Sequence, residues 1–164
     1  MEDRNKYRAV VITVSDSCYR KEKEDRSGPA LAEALQAAGI EVSHAEIVPD
    51  ERSTIVAVLQ KYLTAPSIQL IVTTGGTGFG PRDVTPEATR AVIEKPAPGI
   101  AEFLRQTGAA QTPLTWLSRG EAGIANNRLI INLPGSPKAM QPSIETLRPL
   151  LFHALDLLNG GKPH

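Results

Sequence analysis

Hydrophobic positions along this chain follow two alternating rhythms. Ala9 to Val14 reads AVVITV, a short continuous run of apolar and β-branched residues. Such a run predicts a strand buried on both faces. Ile68 to Thr73 (IQLIVT) and Arg128 to Leu133 (RLIINL) repeat it, and Glu41 to Val48 is a more mixed strand. Between these runs the spacing widens to that of helices. Leu31, Ala34, Leu35 and Ala38 form one stripe, with Ser27 as N-cap, Pro29 in the first turn and Gly39 at the C′ position. Ile55, Val58, Leu59, Tyr62 and Leu63 form a second stripe. Thr85-Pro86-Glu87 starts a third helix, capped by Thr85 and running to about Lys95. Pro96 to Gly99 breaks it, and a short helix follows through Phe103 and Leu104. Thr112 to Asn127 reads as a long ordered loop with one helical turn. The last helix covers Ser143 to Leu158, with Ile144, Leu147, Leu150, Leu151, Ala154, Leu155 and Leu158 as its buried stripe. Pro149 should bend it, and Gly160-Gly161 stops it.

Strands alternating with helices predict an α/β fold of three layers, with helices on both faces of a mostly parallel central sheet. Ligands of such folds sit beyond the carboxyl ends of the strands. Three strand ends carry polar or glycine-rich motifs: Ser15-Asp16-Ser17, Thr74 to Asp83, and Pro134 to Lys138. We expect all three on one rim.

Composition narrows the classes. The 164 residues fit a single domain, 1–164, large enough to bury roughly 70% of its unfolded surface. Eighteen Lys and Arg balance eighteen Asp and Glu, which argues against nucleic acid and acidic membranes as partners. The charged stretch Met1 to Lys6 has no apolar core of a secretory signal, and no apolar run is long enough to span a bilayer. The single cysteine, Cys18, excludes an intrachain disulfide and fits a reducing compartment. The expected location is cytoplasmic. His44, His153 and His164 have no metal-ligand spacing and read as structural or surface residues. Trp116 reads as a packing residue, and Arg20 to Arg26 (RKEKEDR) as a solvated, mobile loop.

The chemistry concentrates in Thr73 to Gly80, TTGGTGFG. Glycines let a backbone approach a ligand, and successive N–H groups can converge on an anion. The loop is neither a Walker A motif nor a dinucleotide fingerprint. Arg82 and Asp83 follow at once. Arg82 could neutralise phosphate charge, and Asp83 could hold Mg²⁺ against phosphate oxygens. Asp50, in Pro49-Asp50-Glu51 at another strand end, would supply a second carboxylate. Ser118 and Arg119 offer donors to a second anionic group, and Pro134-Gly135-Ser136 offers a strand-end turn before a helix.

Together these residues resemble the MogA / gephyrin G-domain family of molybdenum cofactor biosynthesis. The likeness covers about Ala9 to Leu158. Its most specific stretch is TTGGTGFGPRDVTPEAT, Thr73 to Thr89, with further matches at Thr13 to Ser17, Asp25 to Pro29, Val48 to Glu51, Leu117-Ser118-Arg119, Ala122-Gly123-Ile124 and Ile130 to Pro137. The resemblance implies the fold of the molybdenum cofactor biosynthesis proteins and a nucleotidyltransferase, a molybdopterin adenylyltransferase. ATP and Mg²⁺ would convert molybdopterin to adenylyl-molybdopterin with release of pyrophosphate. It implies a homotrimer and a downstream molybdate-inserting protein that receives the product. By position, Asp50 and Asp83 would be catalytic and hold the metal. Thr74, Gly75, Gly76, Thr77, Gly78, Arg82, Pro134, Gly135 and Ser136 would bind nucleotide phosphates. Ser15, Asp16, Ser118 and Arg119 would bind molybdopterin. Gly80 stands where relatives often carry threonine or another side chain. A MoaB-like branch shares the fold and sometimes lacks activity. Its inactive members tend to lose Pro-Arg-Asp-Val-Thr, which this chain keeps. A non-catalytic pterin-binding or scaffolding trimer, and a generic anion-binding α/β domain, are the alternatives.

Overall fold

The computed structural model describes residues 5–162. The readings of His164 and of residues 1–4 lie outside them. In chain order the elements are β1 (Arg8–Val14), α1 (Asp16–Tyr19), α2 (Ser27–Ala37), β2 (Glu41–Val48), α3 (Arg52–Leu63), β3 (Leu70–Thr74), α4 (Thr85–Val92), β4 (Lys95–Pro96), α5 (Pro98–Gly108), a 3-10 turn (Pro113–Leu117), β5 (Ala122–Ala125), β6 (Arg128–Leu133) and α6 (Pro137–Leu158). One six-stranded sheet has the order β2-β1-β3-β6-β5-β4. The first four strands are parallel, and β5 runs antiparallel to both β6 and β4.

The continuous apolar runs are explained by the covering of both sheet faces. In β1, Ala9 and Val11 join a core with α2 and α6, while Val10, Ile12 and Val14 join the core under α3 and α4. β3 divides the same way, Leu70 and Val72 against Ile71, and so does β6, with Leu129, Ile131 and Leu133 opposite Ile130. This is the two-residue period of a strand seen from both sides. The mixed strand β2 is an edge strand and largely exposed, which removes the need for a second apolar face. Among the described residues no helix is long and apolar enough to cross a membrane.

The structure corrects several expected boundaries. The strand-end motif at Ser15 opens a short helix, which Ser15 caps by accepting from the Cys18 N–H. The first residue before α2 is Arg26, not Ser27, and the helix start is held by Asp25. The Asp25 carboxylate accepts from Gly28 N at 3.0 Å and from the Thr13 hydroxyl at 2.8 Å. Thr85 is the first residue of α4 and not its cap; its hydroxyl donates to the Gly75 carbonyl at 3.0 Å. That helix ends at Val92, because Ile93 is extended and Lys95-Pro96 pairs with β5. The short helix expected through Phe103 and Leu104 is α5, eleven residues long. The expected loop at 112–127 contains the 3-10 turn and β5. Asn126 and Asn127, with φ of 47° and 58°, close a two-residue hairpin into β6, since Asn tolerates the left-handed region that this turn demands. α6 begins at Pro137, six positions before the expected Ser143, and carries both Pro142 and Pro149. Leu150, expected on its buried stripe, is exposed.

One buried side chain ties the layers together. Asn132 on β6 donates to the hydroxyls of Thr73 on β3 at 2.9 Å and of Thr89 on α4 at 3.0 Å. Its Oδ1 accepts from Glu121 N at 3.0 Å. Asn132→Ala would strand these buried groups, at a cost of about 1–3 kcal/mol for each left unpaired. The variant should unfold at a clearly lower urea concentration with an unchanged m-value.

Candidate functional site

β1, β3 and β6 are parallel and in register, with Thr13 opposite Thr74 and Thr74 opposite Leu133. Their following segments therefore leave the sheet at one rim, as expected. The chain runs from β1 to β2 on one side and returns to β3 on the other, so β1 and β3 form the topological switch point where α/β sheets bind ligands.

The glycine loop threads between these strand ends. Gly75 N donates to Leu133 O at 3.1 Å. On its other side, a Cβ at Gly75 would lie 2.3 Å from Val14 O, and its φ is +98°. Gly76, with φ +68°, leaves no more room: a Cβ would sit 2.3 Å from the Thr85 hydroxyl and 3.1 Å from Asp50 Oδ1. No other residue type fits either position without displacing backbone or site atoms. Past this point the N–H groups of Gly76, Thr77 and Gly78 take no acceptor among the described residues. They are the donors that an anion would use.

Two carboxylates abut the loop. Asp83 accepts from Gly80 N at 2.8 Å, so a glycine amide positions it. Asp50 and Asp16 are locked reciprocally. Asp16 N donates to Asp50 Oδ2 at 2.8 Å, and Asp50 N donates to Asp16 Oδ1 at 3.0 Å. Arg82 closes on Asp16 in bidentate fashion, at 2.9 and 3.0 Å. This guanidinium holds the Asp16 carboxyl below the usual range, against the opposing effect of burial. Asp50 moves the other way. Burial pushes its carboxyl up; the Asp16 amide pulls part of the way back, and the negative charges of Asp16 and Asp83 add to the rise.

A cavity of about 690 Å³ opens from the loop toward α5 and the start of α6. Gly75, Gly76, Thr77, Gly78, Asp83, Ser118, Pro134, Gly135 and Ser136 line it. Its far wall includes Arg105, Gln111, Thr112, Lys138, Ser143 and Thr146. Sequence reading missed the α5 wall, whose polar residues carry no motif.

Four expected site residues are placed differently. Thr74 is fully buried, and its hydroxyl donates to Pro134 O at 2.9 Å, so it joins two strand ends behind the cavity. Arg82 and Asp16, expected to meet separate anions, pair with each other. Arg119 does not line the cavity. Its Nε donates to Gly78 O at 2.8 Å, its Nη2 to Asp83 O at 2.8 Å, and its Nη1 to the Glu87 carboxylate. Trp116, expected in the packing, is 56% exposed.

The family described as "Probable molybdopterin binding domain" matches residues 10–153. This chain belongs to that family. The chain is 44% identical over 150 residues to the molybdenum cofactor synthesis protein cinnamon of Drosophila melanogaster, covering 90% of this chain and 25% of that protein. The chain thus spans about a quarter of the length of that relative. It is 42% identical over 152 residues to the molybdopterin adenylyltransferase of Helicobacter pylori (strain J99), covering 92% of this chain and 86% of that one. The crystal structure of the molybdopterin biosynthesis enzyme MoaB from Thermus thermophilus superposes with a TM-score of 0.88 at 45% identity, covering 96% and 98% of the two chains. The expected family and the three-layer, mostly parallel fold are both borne out.

The raised Asp50 carboxyl makes a signed prediction. Its folded pKa lies above the ordinary 3.8, so the ionised form opposes folding, and that cost appears as pH rises through the folded value. Asp50→Asn keeps an oxygen for the Asp16 amide and removes the charge. It should melt at a higher temperature than the parent at pH 7 without divalent ions, and the gain should disappear below pH 3.8. Paired thermal melts across pH check it.

Proposed function

We propose that this domain is a molybdopterin adenylyltransferase, using ATP and Mg²⁺ and releasing pyrophosphate. The observation that carries the reading is the glycine loop with its unclaimed amides at the cavity wall, with Asp83 lining the same cavity and Asp50 beside Gly76, just off its lining. The adenylyltransferase name of the Helicobacter pylori relative, aligned over nearly the whole chain, supports the same chemistry.

The charges at the loop favour a divalent cation. The Arg82 guanidinium is paired with Asp16. Asp50 and Asp83 have backbone amides as partners, and among the described residues no cation lies within salt-bridge distance of either. A phosphate-bearing pterin and ATP cannot meet beside two carboxylates without positive charge between them. Two carboxylates with substrate oxygens are a donor set that Mg²⁺ commonly takes. Asp50 and Asp83 would hold it, and when bound it would offset charge on the phosphates and on the leaving group.

The protein's own groups do the rest. In our reading Gly76, Thr77 and Gly78 donate to the nucleotide phosphates, joined by Ser136 and the N-terminus of α6, whose dipole favours anions. Ser118, on the opposite wall, meets molybdopterin. Its terminal phosphate oxygen attacks the α-phosphorus of ATP, forming the new P–O bond as the α–β bridge breaks, and pyrophosphate departs with the bonding electrons. Positioning and charge neutralisation are sufficient for this step, so no nucleophilic side chain is required. We further propose that the chain works as one domain, in the cytoplasm, as a homotrimer that passes its product to a molybdate-inserting protein.

Pyrophosphate release that requires ATP, Mg²⁺ and molybdopterin together tests the activity. Pterin binding without turnover under these conditions would instead establish the non-catalytic alternative. Asp83→Asn should lower turnover roughly 100- to 1,000-fold, the scale of losing one preorganised electrostatic group, with an unchanged circular dichroism spectrum. Light scattering should give three times the 17.6 kDa of the chain; a mass of one protomer at micromolar concentration would rule out the trimer.

A further inference from the structure

The substrate wall and the nucleotide loop are joined by two arginines that act in series. Arg105, on α5, donates through Nη1 to the carbonyls of Ser118 at 3.2 Å and Gly120 at 3.1 Å. It thereby grips the backbone on both sides of Arg119. Arg119 then reaches across to the loop. Its amide donates to Thr77 O at 2.9 Å. Its guanidinium donates to Gly78 O and Asp83 O, both at 2.8 Å, and its remaining arm pairs with Glu87 in the first turn of α4. The Arg119 side chain is 30% exposed. The planar fork thus spans the segment from Gly78 to Asp83, whose turn is closed from within by Asp83 N to Gly80 O at 3.0 Å.

We propose that Arg119 is a positioning residue that fixes the glycine loop and Asp83 in the geometry for transfer, with Arg105 as its support. This goes beyond the adenylyltransferase reading and rests on it, and it replaces the expectation that Arg119 receives the pterin substrate. The argument is geometric. A carbonyl pulled onto a guanidinium turns its peptide plane, and the N–H of the following peptide bond is set by that plane. Anchoring the carbonyls of Thr77 and Gly78 orients the amides of Gly78 and Phe79. Anchoring the carbonyl of Asp83 fixes the backbone from which its carboxylate projects. Glycine-rich backbone has many alternative conformations, so a loop built for close approach to phosphate needs such an external clamp. A lysine cannot replace it, because a single ammonium lacks the planar fork that meets separated acceptors together.

Two measurements test the inference. The first needs no turnover. Hydrogen exchange on the ligand-free chain should show faster exchange of the Gly80 and Asp83 amides, the hydrogen-bonded ones of the clamped turn, in Arg119→Ala and Arg119→Lys, with β1, β3 and β6 amides unchanged. The second is steady-state kinetics. A loop displaced by an ångström should lower kcat about 100-fold, with the KM for molybdopterin little changed. If KM for molybdopterin rises while kcat is kept, Arg119 is a substrate ligand and the inference falls. Unchanged loop exchange in both variants also overturns it. If the parent chain shows no adenylyl transfer, that defeats the activity alone, and the exchange arm still decides the clamp. Should Arg119→Ala fail to fold, Glu87→Gln, which removes one charge from the clamp, should loosen the same amides to a smaller degree; parent-like exchange there overturns the inference.

Discussion

Everything at this site depends on the space between the ends of β1 and β6. The loop leaving β3 must pass there, hydrogen-bonded to Leu133 on one side and packed against the Val14 carbonyl on the other. Only backbone fits. Once Gly75 has made that passage, with Thr85 closing onto its carbonyl, the amides of Gly76, Thr77 and Gly78 find no acceptor among the described residues. The donors are left free by the packing that brings the loop through.

The electrostatic arrangement follows a related logic. Positive side chains near the loop are bound into the protein: Arg82 to Asp16, Arg119 to Glu87 and two carbonyls, Arg105 to two more. Surface pairs of this kind contribute little to stability, typically under about 1 kcal/mol. Here they hold segments in place. Asp16 shows it well, since its carboxylate takes both the Asp50 amide and the Arg82 fork, and so sets where Asp50 stands. The site is organised by charged groups that pair with one another, while Asp50 and Asp83 are held by backbone amides.

The sheet was legible because its physics is local. Strands covered on both faces must be apolar throughout, and AVVITV, LIVT and RLIINL announce themselves. The glycine loop and the two carboxylates were equally plain, since close approach and phosphate chemistry restrict residue types. What the sequence did not disclose depends on partners far along the chain. Thr85 resembles a cap by its neighbours, yet its hydroxyl is drawn to Gly75. Arg119 looks like a free cation in a loop, and only the fold shows Gly78 and Asp83 waiting for it. The hairpin at Asn126-Asn127 was readable in principle, because two residues tolerant of positive φ separate two short apolar runs. The polar composition of residues 112–127 masked it.

The position of Trp116 has an optical consequence. It is the chain's only tryptophan, it stands more than half exposed, and it belongs to the 3-10 turn whose Leu114, Thr115 and Leu117 line the cavity. Indole emission from this protein therefore comes from a single place, at the cavity wall, with no signal from a buried second indole to dilute it. The molecule is its own spectroscopic probe, reporting changes at the mouth of the site while remaining nearly silent about the core.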